Sequence, residues 1–542
     1  MIYSDLLSQY YNEKLSGSYD CVDRIVLNGY VSSIQFPGGF RFWYRKLNQN
    51  SDKDLDNSRL MKMAGRFSRR VYAWANSRHI PVLQMASGER KHLVADDYIP
   101  KDPHFEGIFL IMATRASANI YEVDKFSSGA INIKRKIAFV RHFFFHIMDK
   151  SWGHITFRIC AHPPFNCMVI LNGHEWAERK LTRKDISFEK SGNCFVTYAD
   201  GEALTRVADT CSKGQPGKVC DRWIYSILWF ALDYQQQEQA PLKYSYSVYQ
   251  VEYSRNLNFC NGAWMNDVYQ NIINLTRASL DVKRIKTMFG RKNRPHYRRN
   301  AASALQGCIE IPDYNLTVFK IHFGALTLKL YDKGEHTLRA EVVVHNTKDL
   351  KCKRSLDNFE IIVHKLKAMM NTFLDNLLYA HVSLIGHGEL ERLTTTQTAG
   401  KIKSAGINYF KKKDKHILHS VMALAFKPGG FNISDVVTKV LSMYGQKMKP
   451  TQAAYIIKKL RAKKIIEMPH GKRKYWVNKD GIQMIVGMIA IVEQQLPQVL
   501  ALSKNPDLSI PMKNRNQYHD AMIDLKRAIR NLSALSHVKI AA

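Results

Sequence analysis

Two short strand-like segments hold the residues of this sequence best suited to chemistry. Leu328-Lys329-Leu330-Tyr331-Asp332-Lys333 and Leu338-Arg339-Ala340-Glu341 flank Gly334-Glu335-His336. Strand alternation puts Lys329, Tyr331 and Lys333 on one face of the first segment, and Arg339, Glu341 and His345 on one face of the second. A two-residue turn would separate the two sets. A three-residue loop over 334–336 instead sets Tyr331 beside Arg339 and Lys329 beside Glu341, leaving Leu328, Leu330 and Leu338 to a core. A tyrosine flanked by cations has a stabilised phenolate, which can attack a phosphodiester. Glu341, Glu252 and Asp23 are the carboxylates that would hold Mg2+ or Mn2+ for such a reaction. The plainer alternative is a cross-strand salt-bridge ladder.

Other chemistries fare less well. Asp23 can be read as the first carboxylate of a ribonuclease-H-like nuclease, completed by Glu252 or Asp149, or simply as a cap at a strand start. Gly214-Gln215-Pro216-Gly217-Lys218-Val219 lacks both the spacing and the Ser/Thr of a P-loop. His142 and His146 share a strand face, as a half-buried strand requires, and His174 after Asn172-Gly173 reads as a helix-start residue. The nine cysteines include no CxxC pair and are odd in number, against a zinc ribbon or a disulfide framework. The first residues show no secretory signal pattern. The most apolar run, Ile482 to Val492, is too short for a bilayer, where about 20 apolar residues are needed. A soluble, cytoplasmic protein without a membrane partner is expected.

Charge points to the partner. Lys plus Arg number 80 against 47 Asp plus Glu, a formal net charge of +33. A polyanion is the natural complement, because each neutralised phosphate releases condensed counterions. One basic loop, with Arg291, Lys292, Arg294, Arg298 and Arg299 around Pro295 and Tyr297, is a candidate contact for single-stranded DNA or structured RNA.

The elements that must position these groups are mixed. Asp23 to Leu27, Pro81 to Leu83, Gly107 to Ala113, Phe143 to Met148, Ile155 to Cys160, Asn166 to Leu171 and Tyr244 to Tyr253 read as strands. Arg59 to Ser77, 222–233, 264–282 and Leu356 to Leu378 carry helical periodicity. The expectation is an α+β protein with a mixed sheet and hairpins, then a C-terminal winged helix-turn-helix and a helical tail. The expected divisions are 1–135, 136–390, a basic linker 391–413, the winged helix 414–480, and a tail 481–542.

The winged-helix reading rests on His416 to Phe426, a second helix capped by Asn432 or Ser434 and ended by Gly445, and a third opened by Pro450. Ala453, Ile456, Ile457 and Leu460 form the buried stripe of that third helix. Gln452, Tyr455, Lys458 and Lys459 remain for a major groove, and Lys472, Arg473 and Lys474 form a basic hairpin tip. Residues 414 to 480 resemble the winged helix-turn-helix of bacterial transcription regulators, which implies duplex DNA as partner. Residues 482 to 535 offer two amphipathic helices, a common dimerisation element in such proteins.

The Tyr331 hairpin is similar to the strand pair of plasmid rolling-circle replication initiators, which carry R-x-Y-[DE]-K…R-x-E. Lys329 stands where those have arginine. The resemblance implies that Tyr331 nicks DNA and joins its 5′ end. Asp23 to Gly29, Asn172 to Trp176, Gln250 to Tyr253 and the hairpin together resemble a widespread family of bacterial proteins ending in a winged helix, which brings no activity with it. Two classes of function follow. One is a DNA-cleaving and -joining enzyme of a plasmid or mobile element, of replication-initiator or transposase type. The other is a non-catalytic DNA-binding regulator or RNA-binding ribonucleoprotein component.

Overall fold

A computed structural model describes residues 3–86, 89, 91–125, 131–279, 318–333, 336–381, 389–399, 402–469, 471, 473–496, 523–525 and 527–528. The loop bearing Arg291, Lys292, Arg294, Arg298 and Arg299 lies outside the described residues, as do Lys472 and most of the expected tail. The fold is α+β, with a mixed sheet and helices. Its strands are β1 (Leu15–Val31), β2 (Val82–Gln84), β3 (Gly107–Lys125), β4 (Ile131–Asp149), β5 (Gly153–Cys160) and β6 (Cys167–Asn172). Next come β7 (Phe188–Lys190), β8 (Phe195–Tyr198), β9 (Tyr244–Phe259), β10 (Val318–Phe323), β11 (Leu326–Asp332) and β12 (Thr337–Val344). The chain divides into two compact units, one of Tyr11–Met265 with Ala325–Met370, the other of Ile2–Tyr10, Asn266–Gly324 and Asn371–Ala542.

In the first unit the main sheet runs β11-β12-β9-β1-β6-β5-β4-β3-β2. The β2–β3 pair is parallel and the other described pairs are antiparallel. Position 135, where the sequence suggests a domain boundary, falls inside β4. Strands are longer than their apolar runs: β1 extends to 17 residues and β9 to 16. The reason is that their polar residues are buried in pairs. Asp20 takes bonds from Arg255 Nε at 2.6 Å and from Tyr253 Oη at 2.8 Å, so charge in a central strand is compensated across it.

Helices cover both sheet faces. The helix Asn57–Ser77, capped by Asp56, buries Leu60, Met63, Phe67 and Val71, and Phe67 stacks on Phe165. From the helix Pro37–Leu47, Phe40 stacks on Tyr121 of β3. The helices Gly173–Thr182 and Gly201–Asp209 place Ala177, Leu181, Leu204, Val207 and Ala208 in one cluster with Tyr19 and Cys21 of β1.

The second unit contains three successive helices, Lys412–Ala425, Ile433–Tyr444 and Pro450–Ala462. A short ladder of Ile466–Glu467 with Trp476–Val477 follows. Asn432 caps the second helix in a reciprocal box with Asp435, Gly445 ends it in the left-handed conformation, and Pro450 opens the third. The expected linker is structured here: helix Glu389–Thr394 and the hairpin Gln397–Ala399/Ile402–Ser404 precede the bundle. Lys463 donates to the Arg392 carbonyl at 2.9 Å, tying that segment down. The helix Lys479–Ile489 buries Ile482, Met484, Ile485, Val486, Met488 and Ile489 within the chain, so its apolar face is not free for a second copy. Among the described residues no helix is long and apolar enough to cross a membrane.

Candidate active site

The β11–β12 hairpin has the register that alternation favours, with Lys329 opposite Glu341 and Tyr331 opposite Arg339. Lys333 N donates to Thr337 O at 2.7 Å and closes the ladder. Glu341 is buried and shared. Lys329 Nζ donates to its Oε2 at 2.6 Å, and the Tyr331 hydroxyl donates to its Oε1. Burial works against the charge on Lys329, but Glu341 and Glu252 more than offset it and hold the ammonium protonated.

Tyr331 departs from the expected phenolate. Burial pushes its hydroxyl well above the usual tyrosine range, and the Glu341 carboxylate adds to this, while Arg339 pulls the other way without reversing it. The oxygen is therefore a protonated donor facing a carboxylate. Flanking cations in the sequence suggested ionisation, but the nearest strong charge is negative.

Arg339 also departs from expectation. It is 2% exposed and points inward rather than towards a space where a phosphate could sit. Its Nε donates to Asn256 Oδ1 at 2.6 Å, a terminal nitrogen donates to the Asn193 carbonyl, and another stands 3.7 Å from Asp23 Oδ2. Arg339 is a positioning residue, bridging β12 to β9 and β1.

Asp23 sits where the β1–β9 register slips, between Val22 and Arg24. Such a bulge re-aims a side chain. Ser254 Oγ donates to Asp23 Oδ1 at 2.8 Å, and His174 Nδ1 lies 2.8 Å from the same oxygen. Burial would raise the Asp23 carboxyl, but His174 and Arg339 hold it down to about 2. Burial lowers the His174 imidazole against the pull of Asp23, leaving a carboxylate beside a neutral ring. His174 begins the helix Gly173–Thr182, as its sequence context suggests, with its backbone N–H bound by Asn172 Oδ1 at 2.9 Å. A Cβ at residue 173 would overlap the Val22 carbonyl, so glycine is what allows His174 to approach β1.

The expected metal carboxylates divide between two neighbourhoods. Glu252 accepts from Gln250 at 2.8 Å; burial raises its carboxyl, Lys329 opposes this, and Glu341 adds to it. Among the described residues, the group of three donors lying within 4.8 Å of one another is Cys21, Asp23 and His174, not Glu252, Glu341 and Asp23. Asp149 ends β4 and caps the turn into β5: it receives Ser151 N at 2.8 Å, Trp152 N at 3.0 Å and Trp223 Nε1 at 2.8 Å, and Arg222 stands 3.2 Å from it. His142 and His146 are buried strand residues, with His146 Nδ1 3.0 Å from His154 Nε2.

No family model matches the chain. No curated protein and no solved structure matches it either.

The expected DNA-reading residues are spread unequally. On the helix Pro450–Ala462, Tyr455 is 58% exposed, Lys458 is exposed and Gln452 is half-buried. Lys459 is buried, with its ammonium donated to the Gly406 carbonyl at 3.1 Å. Arg473 is exposed and Lys474 half-buried. Lys459 looks like its neighbours in the sequence, because nothing local marks a carbonyl 53 residues upstream as its partner.

Proposed function

We propose that this protein binds nucleic acid and cleaves and rejoins a DNA strand, with Tyr331 as nucleophile and Glu341 as its base. The observation that carries the reading is the hydrogen bond from the Tyr331 hydroxyl to Glu341, on a carboxylate that Lys329 also grips. A tyrosine held protonated needs a base at the moment of attack, and Glu341 already receives its proton. In the step, the Tyr331 oxygen forms a bond to phosphorus and the bond from phosphorus to the 3′ oxygen breaks. The tyrosine proton passes to Glu341, and the departing 3′ oxygen takes one from solvent. Lys329 and Lys333 supply positive charge to the phosphate. Mg2+ or Mn2+ at Glu252 and Glu341 would add Lewis-acid stabilisation and relieve the repulsion between the two carboxylates. Arg339 acts through Asn256 and Asp23 to hold the strands in place.

The three helices and short ladder of residues 412–477 are the targeting module in this reading, a winged helix-turn-helix presenting Gln452, Tyr455 and Lys458 to duplex DNA with Arg473 and Lys474 at the wing. The formal charge of +33 supports a polyanionic partner.

The test is incubation of the full chain with supercoiled and single-stranded DNA and divalent metal, followed by denaturing gels. A covalent adduct that disappears in Tyr331→Phe is the expected result. Cleavage undiminished in that variant would remove Tyr331. The burial of the hairpin favours a second reading, a non-catalytic DNA- or RNA-binding protein in which Glu341 is a structural ion-pair partner. Absence of cleavage on every substrate, with binding retained, would decide for it.

A further inference from the structure

We propose that Cys21, Asp23 and His174 form a buried site for a divalent transition metal, and that their donor set selects zinc. One sulfur, one oxygen and one imidazole nitrogen lie within 4.8 Å of one another, and all three residues are buried. Cys21 and Asp23 are two positions apart on β1, and the bulge at Asp23 brings its carboxylate into the same group as the Cys21 sulfur and the His174 ring.

The hydrogen bonding of the cluster is incomplete where an ion would sit. Asp23 Oδ2 and His174 Nδ1 are buried and have no hydrogen-bond partner of acceptable geometry. The 2.8 Å approach of His174 Nδ1 to Asp23 Oδ1 is close in distance but out of line for a hydrogen bond. A buried carboxylate oxygen that accepts no hydrogen bond and is faced by Arg339 only at 3.7 Å, beside a buried ring nitrogen, carries a desolvation cost that a shared ligand would reduce. The Cys21 sulfur has only a long, weak contact of 3.7 Å to the Val22 carbonyl.

Arg339 stands 3.7 Å from Asp23 Oδ2 and 3.5 Å from His174 Nε2, with its closer donors given to Asn256 and Asn193, so an ion at this site would share the Asp23 charge with it. Ser254 supports Asp23 from behind through the other oxygen. Thiolate and imidazole donors favour zinc over Mg2+, which takes oxygen ligands and keeps its waters. Binding exchanges the thiol proton of Cys21 for the ion. This site uses neither Glu252 nor Glu341 as a ligand, and its role is to pin β1 to the start of the helix Gly173–Thr182.

The experiment uses the full chain, stripped with chelator and titrated with Co2+ as a spectroscopic substitute for Zn2+. One equivalent should produce a thiolate-to-cobalt charge-transfer band in the near ultraviolet, with zinc displacing it and raising the melting temperature. Cys21→Ser should lose the band and bind at least about tenfold more weakly, a bound set by what loss of even a supporting partner costs. Cys260→Ser, at an exposed thiol, should keep it. Asp23→Asn provides a second variant close in shape, expected to weaken binding. A wild-type chain with no thiolate band, or a band unchanged in folded Cys21→Ser, overturns the site.

Discussion

Tyr331 and Glu341 bond on a diagonal, each standing directly opposite a different residue of the other strand. The tyrosine reaches past its cross-strand neighbour Arg339, whose guanidinium has turned into the core. Removing the hydroxyl in Tyr331→Phe keeps the ring and should cost about 1.5–3 kcal/mol, the usual worth of a hydrogen bond to a charged group. Urea denaturation measures that cost, while gels report adduct loss. A stable variant that still cleaves would separate the bond from chemistry.

Arg339→Met should be far more damaging than its shape change implies. It leaves Asn256 and the Asn193 carbonyl without their donor and strips Asp23 of a neighbouring positive charge. Breaking a buried charge pair by removing one partner costs about 3–5 kcal/mol. Arg339→Lys should recover little, since an ammonium cannot reproduce the fork that reaches three partners. Equal stability of the Lys variant and wild type, by denaturant midpoint, would contradict this.

Acid should weaken the first unit in two stages. Burial holds the His142 imidazole down to about 4 and the His146 imidazole to about 3, and lowers His174 too. The unfolded chain binds protons at these histidines below about pH 6.5, so stability falls from there until the folded values are reached. Asp23, held down to about 2, adds stability that is present above about pH 4 and lost as pH falls through its folded value. Denaturant midpoints measured from pH 7 to 3 should decline throughout. A flat profile from pH 7 to 5 would mean that the histidines are not buried neutral.

On the helix Pro450–Ala462, two adjacent lysines should behave differently. Lys458→Ala and Arg473→Ala should each weaken duplex binding and flatten its salt dependence by about 0.9 in log–log slope per lost phosphate contact, with stability unchanged. Lys459→Ala should lower stability, because it removes the donor to the Gly406 carbonyl. Fluorescence anisotropy at several salt concentrations, paired with thermal melts, distinguishes them. An unchanged slope for Lys458→Ala and Arg473→Ala together would remove this face as the DNA contact.

Local rules made much of the architecture legible. The hairpin register followed from where Leu328, Leu330 and Leu338 must go, and the caps at Asn432, Gly445 and Pro450 follow from backbone chemistry within a few residues. What stayed hidden depends on distant partners. Nothing near Arg339 says that it will meet Asp23, far upstream in the sequence, rather than a solvent phosphate. The same holds for the polar stretches of β1 and β9, which look unlike central strands until Asp20 and Arg255 are seen to neutralise each other.

The Asp20–Arg255 pair joins residues separated by 235 positions. At synthesis rates of about 5–20 residues per second, β1 therefore leaves the ribosome roughly 10–50 s before β9 exists to cover it. During that interval Asp20 and Asp23 are uncompensated charges on a nascent strand rich in apolar residues. They discourage it from pairing with the wrong chain, and each is neutralised only when its own late-arriving partner docks.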